Sequence, residues 1–348
     1  MALTPLPDVP PPHPPDPLTL TVREPADLVA VAEVVLGFPP TDSAVLLTFG
    51  AARPFHARVD LPPPDDPDAA AALAELLLGP VLAHDAPHAA LLLVGDDDRR
   101  TGPAWAALEE AFVAADVPLV EALRVRRGHW WSLLSTDPSE KLLPTSPHPF
   151  VAAAAVTGRV ARGSREELVA SLDPDERAAE RVSRALDRLA PPEGRLAEGG
   201  WGHRRVVSAL DGRERLSDAD AARLLRGWHD LGVRDAAWAA ISAPRLRPAI
   251  DLLSDLVRRS PPGLRAAPAA LLGWTAWRAG DGALAWCAVD RCRAVAPSYS
   301  LADLVDELLT RAVPPGDWSD WADGLDWRAV VLASSDGDAR PGPAGRAG

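Results

Sequence analysis

The hydrophobic period of this chain changes once. Up to residue 134, short β-prone apolar runs alternate with helix-spaced segments; past residue 150 every periodic stretch is helical. Strands bury every second residue and helices every third or fourth, so this switch divides the fold into a sheet-containing half and a helical half. In the first half, Leu28, Val31, Ala32, Val35 and Leu36 predict a helix over 24–36, stopped by Gly37 and the prolines after it. AVLLTF (44–49) and FHARVDL (55–61), joined by a short Gly-containing turn, predict a hairpin. AALLLVG (89–95) is apolar throughout, as a strand covered on both faces must be, and sits between predicted helices at about 68–83 and 103–115. PLVEALRV (118–125) returns through Arg127-Gly128 as HWWSLL (129–134).

The expected fold is an α/β N-terminal domain with a mixed sheet of about five strands, followed by an all-α, partly tetratricopeptide-like helical domain. The expected boundaries are a disordered Pro-rich arm (1–17), the α/β domain (18–149), the helical domain (150–318) and a largely disordered tail (319–348). Helices are expected at about 164–172, 174–190, 203–211, 217–229, 232–241, 246–259, 266–279, 282–295 and 299–312, with an internal loop over 191–202. Ser164-x-x-Glu167 and Ser217-x-x-Asp220 read as helix starts.

Within 269–297, Leu272, Gly273, Ala276, Gly280, Asp281, Ala285, Val289, Cys292 and Pro297 fall at the spacings of a tetratricopeptide unit. Gly273 and Ala276 are small enough for two antiparallel helices to approach, and Gly280-Asp281 makes the turn between them. Trp238, Ile250, Val257 and Pro262 give a degenerate echo about one unit earlier. Two units fall short of an independent solenoid, so an ordinary helical hairpin stands beside the repeat reading.

Charge narrows the partners. Residues 1–150 carry 9 Lys and Arg against 21 Asp and Glu, and the remainder carries 27 against 28. An acidic first half does not suit a phosphate backbone, and no apolar run is long enough to span a bilayer, so neither nucleic acid nor membrane is expected. The N-terminus has no secretory pattern and Cys287 and Cys292 form no motif, which leads to a cytoplasmic expectation with both thiols as small buried residues. No phosphate loop, dinucleotide motif or His-rich metal motif occurs, and no cofactor is expected.

Four groups of residues remain as candidates. The hairpin register places Asp42 and Ser43 across from Asp60 and Leu61, with Arg58 and Asp60 on one face; a charge pair closing the sheet end is the plainer reading, a site the sharper one. Asp96, Asp97 and Asp98 follow a strand end where α/β sheets often bind ligands, but read more simply as a solvated loop. Trp130 and Trp131 face opposite sides of one strand, so one belongs to the core. Arg177, Arg181, Arg184 and Arg188 make a stripe on one helix, read as a solvated face, with docking onto the acidic half as the alternative.

Longer blocks carry a resemblance. LGFPPTDSAVLLTF (36–49), HARVDLP (56–62), LRVRRGHWWSLL (123–134), VTGRVARGSREELVASL (156–172), VRDAAW (233–238) and the stretch 267–309 resemble, in the same order, an uncharacterised actinobacterial family, the domain of unknown function 4192. The resemblance implies no activity. The leading expectation is a non-enzymatic protein-binding or scaffold protein that presents its helical half to a protein or peptide. The rival is a small-molecule or metal-dependent enzyme with its site near Asp42, Ser43, Arg58 and Asp60. A deep pocket joining those residues to Trp130 or Trp131 would favour the rival.

Overall fold

Asp66, Asp97, Ser164, Asp175, Ser217, Asp230 and Asp281 each accept a hydrogen bond from a backbone N–H of the helical turn that follows them. Each satisfies a donor that the first turn of a helix leaves without an intrahelical partner. The computed structural model describes residues 20–50, 55–136, 139–156, 162–318 and 325–333. The expected Pro-rich arm, most of the hairpin turn and much of the expected tail lie outside the described residues.

The first half runs α1 (Asp27–Leu36), β1 (Ser43–Phe49), β2 (His56–Asp60), α2 (Pro67–Ala83), β3 (His88–Val94), α3 (Asp98–Ala114), β4 (Leu119–Arg126), β5 (His129–Ser132) and β6 (Lys141–Leu142). The second runs α4 (Pro149–Val156), α5 (Arg165–Ala170), α6 (Glu176–Leu186), α7 (Arg195–Gly212), α8 (Asp218–Gly227) and α9 (Leu231–Trp238). It continues with α10 (Leu246–Arg259), α11 (Ala266–Arg278), α12 (Gly282–Arg293), α13 (Ser300–Thr310) and α14 (Trp327–Ala333).

The sheet order is β2-β1-β3-β4-β5-β6, with β3–β4 parallel and the other pairs antiparallel. It therefore has six strands where about five are expected; the added strand is two residues long and lies in residues 135–149, a stretch rich in Pro and Ser, where a pattern of period two has no room to show. Arg127 (φ 49°) and Gly128 (φ 75°) are both left-handed, which is the two-residue turn that matches strand twist.

Alternation decides what each sheet face covers. Ala44, Leu46, Ala89, Leu91, Leu93 and Ala122 pack with α2 and α3 residues such as Leu77, Leu108 and Phe112. Val45, Leu47, Ala90, Leu92, Leu123, Val125 and Trp130 join α1, and this core continues without a break through Leu168 and Leu172 into the helical half, as far as Trp274 and Leu308. The halves meet through apolar packing, supplemented by the Arg162 N–H donating to Gly37 O (2.7 Å) and by His84 Nε2 with Arg311 O (2.9 Å). The arginine stripe lies elsewhere. Arg177, Arg181, Arg184 and Arg188 are exposed, α6 packs on α8 and α10, and Arg181 Nε donates to Asp218 Oδ2 at 3.1 Å.

The predicted loop over 191–202 is a correction: α7 begins at Arg195, inside it. Glycine disfavours helices by about 1 kcal/mol each, which hides the helix from the sequence. Packing overrides propensity here. A Cβ on Gly199 would sit 2.8 Å from Val331 Cγ2, and one on Gly200 the same distance from Trp327 Cη2, so bare backbone is what lets α14 lie against α7. Trp327–Ala333 is thus a docked helix within the stretch expected to be a tail. Gly199→Val is expected to loosen α14 by about 1–3 kcal/mol through overpacking. Hydrogen exchange should then speed up across 327–333 while the sheet amides keep their protection; unchanged exchange in α14 would refute the close approach.

Candidate functional site

β2 is an edge strand. Leu61 N donates to Asp42 O (2.9 Å) and Thr48 N to Phe55 O (3.1 Å), so the odd-numbered residues of this strand bond to β1. The N–H and C=O of Arg58 and Asp60 therefore point away from the sheet. A cleft of about 480 Å³ opens along this edge, within the size range of ligand sites. Phe55, His56, Ala57, Arg58, Val59 and Asp60 all line it, as happens when a cleft faces a strand's edge and not one face of a sheet.

The opposite wall comes from the helical half. Gly282, Ala283, Trp286 and Cys287 of α12, the end of α13 and residues 312–315 form it. Trp277 Nε1 donates to Val313 O at 3.1 Å and pins that rim. Leu36, Phe38 and Leu168 close the floor, and the lining is mostly apolar. Cys287 is a free thiol whose burial pushes its pKa up to about 11, so it acts as a small apolar wall group and not as a nucleophile.

The structure brings the four polar candidates to one sheet end. Ser43 pairs with Asp60 across the strands, Arg58 Nη2 lies 2.7 Å from Asp60 Oδ1 and donates to Thr41 O (3.1 Å), and Asp42 accepts from Leu61 N through its own carbonyl. Gly95 makes room for this, because a Cβ there would lie 2.9 Å from Leu61 Cδ1 and 3.0 Å from Asp42 Oδ1. The chemistry is that of a clasp. Ser43 Oγ is fully buried and without a hydrogen-bond partner among the described residues, so nothing is placed to take its proton. Arg58 has a side chain 13% exposed and packs over Phe38, while Asp60 is 68% exposed and screened.

Trp130 and Trp131 do not join this cluster. β5 lies four strands from β2, about 19 Å across the sheet. Trp130 is buried beneath Lys141 Nζ (4.8 Å from its ring centre), and Trp131 is half-buried with the Arg124 guanidinium 5.7 Å from its ring. Among the described residues the strand order therefore keeps both tryptophans apart from Ser43 and Asp60.

The carboxylates of 96–98 do not converge either. Asp96 meets Arg127 (3.3 Å), Asp97 meets Arg99 (2.9 Å) and caps α3, and Asp98 meets Arg124 (3.0 Å) and Arg126 (2.7 Å). The hydrogen bond from Arg124 leads the effects that hold Asp98 below the ordinary carboxylate range. Among the described residues no three His, Cys, Asp or Glu side chains are grouped to hold a metal ion, and no helix is long and apolar enough to cross a membrane.

Trp286, Arg165 and the rim at 312–315 were not among the sequence candidates. They are more than a hundred residues from β2; Arg165 falls within the Ser164-x-x-Glu167 helix start and Trp286 within the 269–297 unit, and neither pattern points to β2. No curated protein and no solved structure matches the chain. The family described as a domain of unknown function (DUF4192) matches residues 25–316, and the chain belongs to it.

Proposed function

We propose that the chain is a non-enzymatic binding protein that takes an extended segment of a partner polypeptide into the cleft between β2 and the helical wall. The observation that carries this is the run of the cleft along the whole edge of β2. The outward N–H and C=O of Arg58 and Asp60 can be matched in series only by another backbone, and the apolar wall suits the side chains of such a strand. A segment of about five residues, about 17 Å long, would lie along β2. The chain's own Pro-rich first residues suit the slot poorly, because proline has no N–H to donate. The tetratricopeptide-like spacing of 269–297 supports a binding use of the helical half, with α11 and α12 supplying the far wall.

The test separates backbone from side chain. Displayed random ten-residue peptides are selected on the intact chain, and the winners are measured against Asp60→Ala and Asp60→Pro. Both variants lose the carboxylate; only proline loses the outward N–H, at an edge position that tolerates it. Selected peptides should carry β-branched or aromatic residues at alternate positions. They should bind Asp60→Ala nearly as well as the original chain and lose about tenfold or more on Asp60→Pro, the cost of leaving a partner carbonyl unpaired. Equal binding to both variants, with both folded by circular dichroism, or the failure of any peptide to be selected, would overturn the proposal.

A further inference from the structure

We infer that the bound segment carries a carboxylate, from an acidic side chain or a free C-terminus, and that Arg165 receives it; this rests on the strand-binding reading above. Arg165 is half-buried and lines the cleft beside Leu168 and Cys287. Among the described residues it has no ion-pair partner, whereas Arg58, the other arginine lining the cleft, and Arg291 on α12 are engaged. Arg58 pairs with Asp60, and Arg291 pairs with Asp173 at 2.7 Å.

The acids nearest Arg165 in sequence are turned to another task. Glu167 Oε2 accepts from Gly163 N at 2.8 Å, and Glu167 N donates to Ser164 Oγ at 3.2 Å, closing the start of α5. The Glu166 carboxylate is held by its own backbone N–H first and by Ser164 second, with Arg165 a lesser influence. A capping motif has thus used up both local carboxylates and left the guanidinium beside them facing an apolar slot. The same cation is felt inside the cleft. At Cys287 burial dominates, and Arg165 is the first of the charges that oppose it, ahead of Asp290 and Asp281, which act the other way.

A half-buried guanidinium at a low-dielectric wall favours a planar, charged acceptor that can take two parallel hydrogen bonds. Arg165 therefore fixes which residue of the segment sits at the α5 end and so sets the register of the added strand. The net charge of −13 opposes an acidic partner at long range, but that repulsion is screened within about 8–10 Å at physiological salt. The local pair and not the overall field decides the preference.

The experiment uses one fluorescein-labelled ten-residue peptide from the selection, made with its acidic residue as Asp, Asn or Lys and with its C-terminus free or amidated. Each form is titrated against the intact chain, Arg165→Gln and Arg165→Glu by fluorescence anisotropy. On the original chain the Asp-to-Asn or the free-to-amide change should weaken binding about tenfold, and which of the two does so identifies the source of the carboxylate. On Arg165→Gln that ratio should fall to about one, and the Lys form should regain affinity on Arg165→Glu. An unchanged ratio on a folded Arg165→Gln, or selected peptides with no acidic group and a free-to-amide ratio of one, would overturn the inference while leaving strand binding intact. Should Arg165→Gln fail to fold, Arg165→Glu carries the comparison, and a Lys form that gains no affinity on it relative to the original chain would overturn the inference. Coupling to Arg165 without sensitivity to Asp60→Pro would remove the strand reading instead, and selection of no peptide would remove both.

Discussion

Trp274→Ala will lower the stability of the folded chain by about 4 kcal/mol. Trp274 is fully buried, its ring meets Trp238 edge-on at 4.9 Å and Trp277 at 5.1 Å, and it lies on the helix that packs against α10, α12 and α13. Truncating a buried aromatic costs about 3–5 kcal/mol, from lost burial and from the cavity left behind. Two flanking indoles are rigid and cannot collapse into that space, which puts the expected cost above the low end of the range. Because this core continues into the sheet, the loss should appear in both halves at once. Urea unfolding followed by circular dichroism and by tryptophan fluorescence should give coincident curves shifted to lower urea. A shift worth under about 1 kcal/mol, or a sheet that unfolds at its original urea concentration, would contradict a single shared core.

Asp218→Asn combined with Asp255→Asn is expected to cost about 3 kcal/mol or more. Arg259 is 1% exposed, with Nη1 3.1 Å from Asp218 Oδ1, Nη2 2.8 Å from Asp255 Oδ2, and Nη2 donating to Leu216 O at 3.1 Å. Burial already pulls its pKa down, and Asp255 is the first charge to resist that. Removing both carboxylates strands a cation in the interior, the most expensive way to break such a cluster. The reverse change is milder. After Arg259→Met the two acids keep Arg181 (3.1 Å from Asp218) and Arg215 (3.0 Å from Asp255), and their side chains are 33% and 26% exposed to water. Thermal unfolding of both variants should therefore show the double amide clearly below Arg259→Met. The opposite order would mean that the acids, and not the arginine, carry the burial cost.

The parts of this fold that sequence reveals are those whose cause is local. The β1–β2 register followed from alternation across a short turn, and it placed Ser43 opposite Asp60. The helix starts at Ser164 and Ser217 were visible because a cap and its partner lie three residues apart. What stayed hidden has a distant cause. Gly199 and Gly200 look like loop until Val331 and Trp327 arrive to fill the space above them. β6 is too short to have a period, and α4, half alanine and apolar throughout, has no polar face to mark it. The cleft is the extreme case. Arg58, Arg165 and Trp286 acquire a common meaning only after β2 and α12 have been folded to opposite sides of one slot. Its polar candidates were found because they are adjacent on a hairpin, and its apolar wall was missed because nothing adjacent announces it.

The wall of that slot is made long after the strand it faces. β2 ends at Asp60, while α12 and α13 finish at Arg293 and Thr310. At ordinary elongation rates a ribosome needs roughly 10–50 s to cover that interval. Through all of it the growing chain holds a completed edge strand with nothing opposite, the arrangement that most readily recruits a neighbouring nascent chain. Arg58 and Asp60, one of each sign on a five-residue strand, are the protection β2 carries with it during that time. Neutralising both should therefore lower the soluble yield from cells more than it lowers the stability of the finished protein.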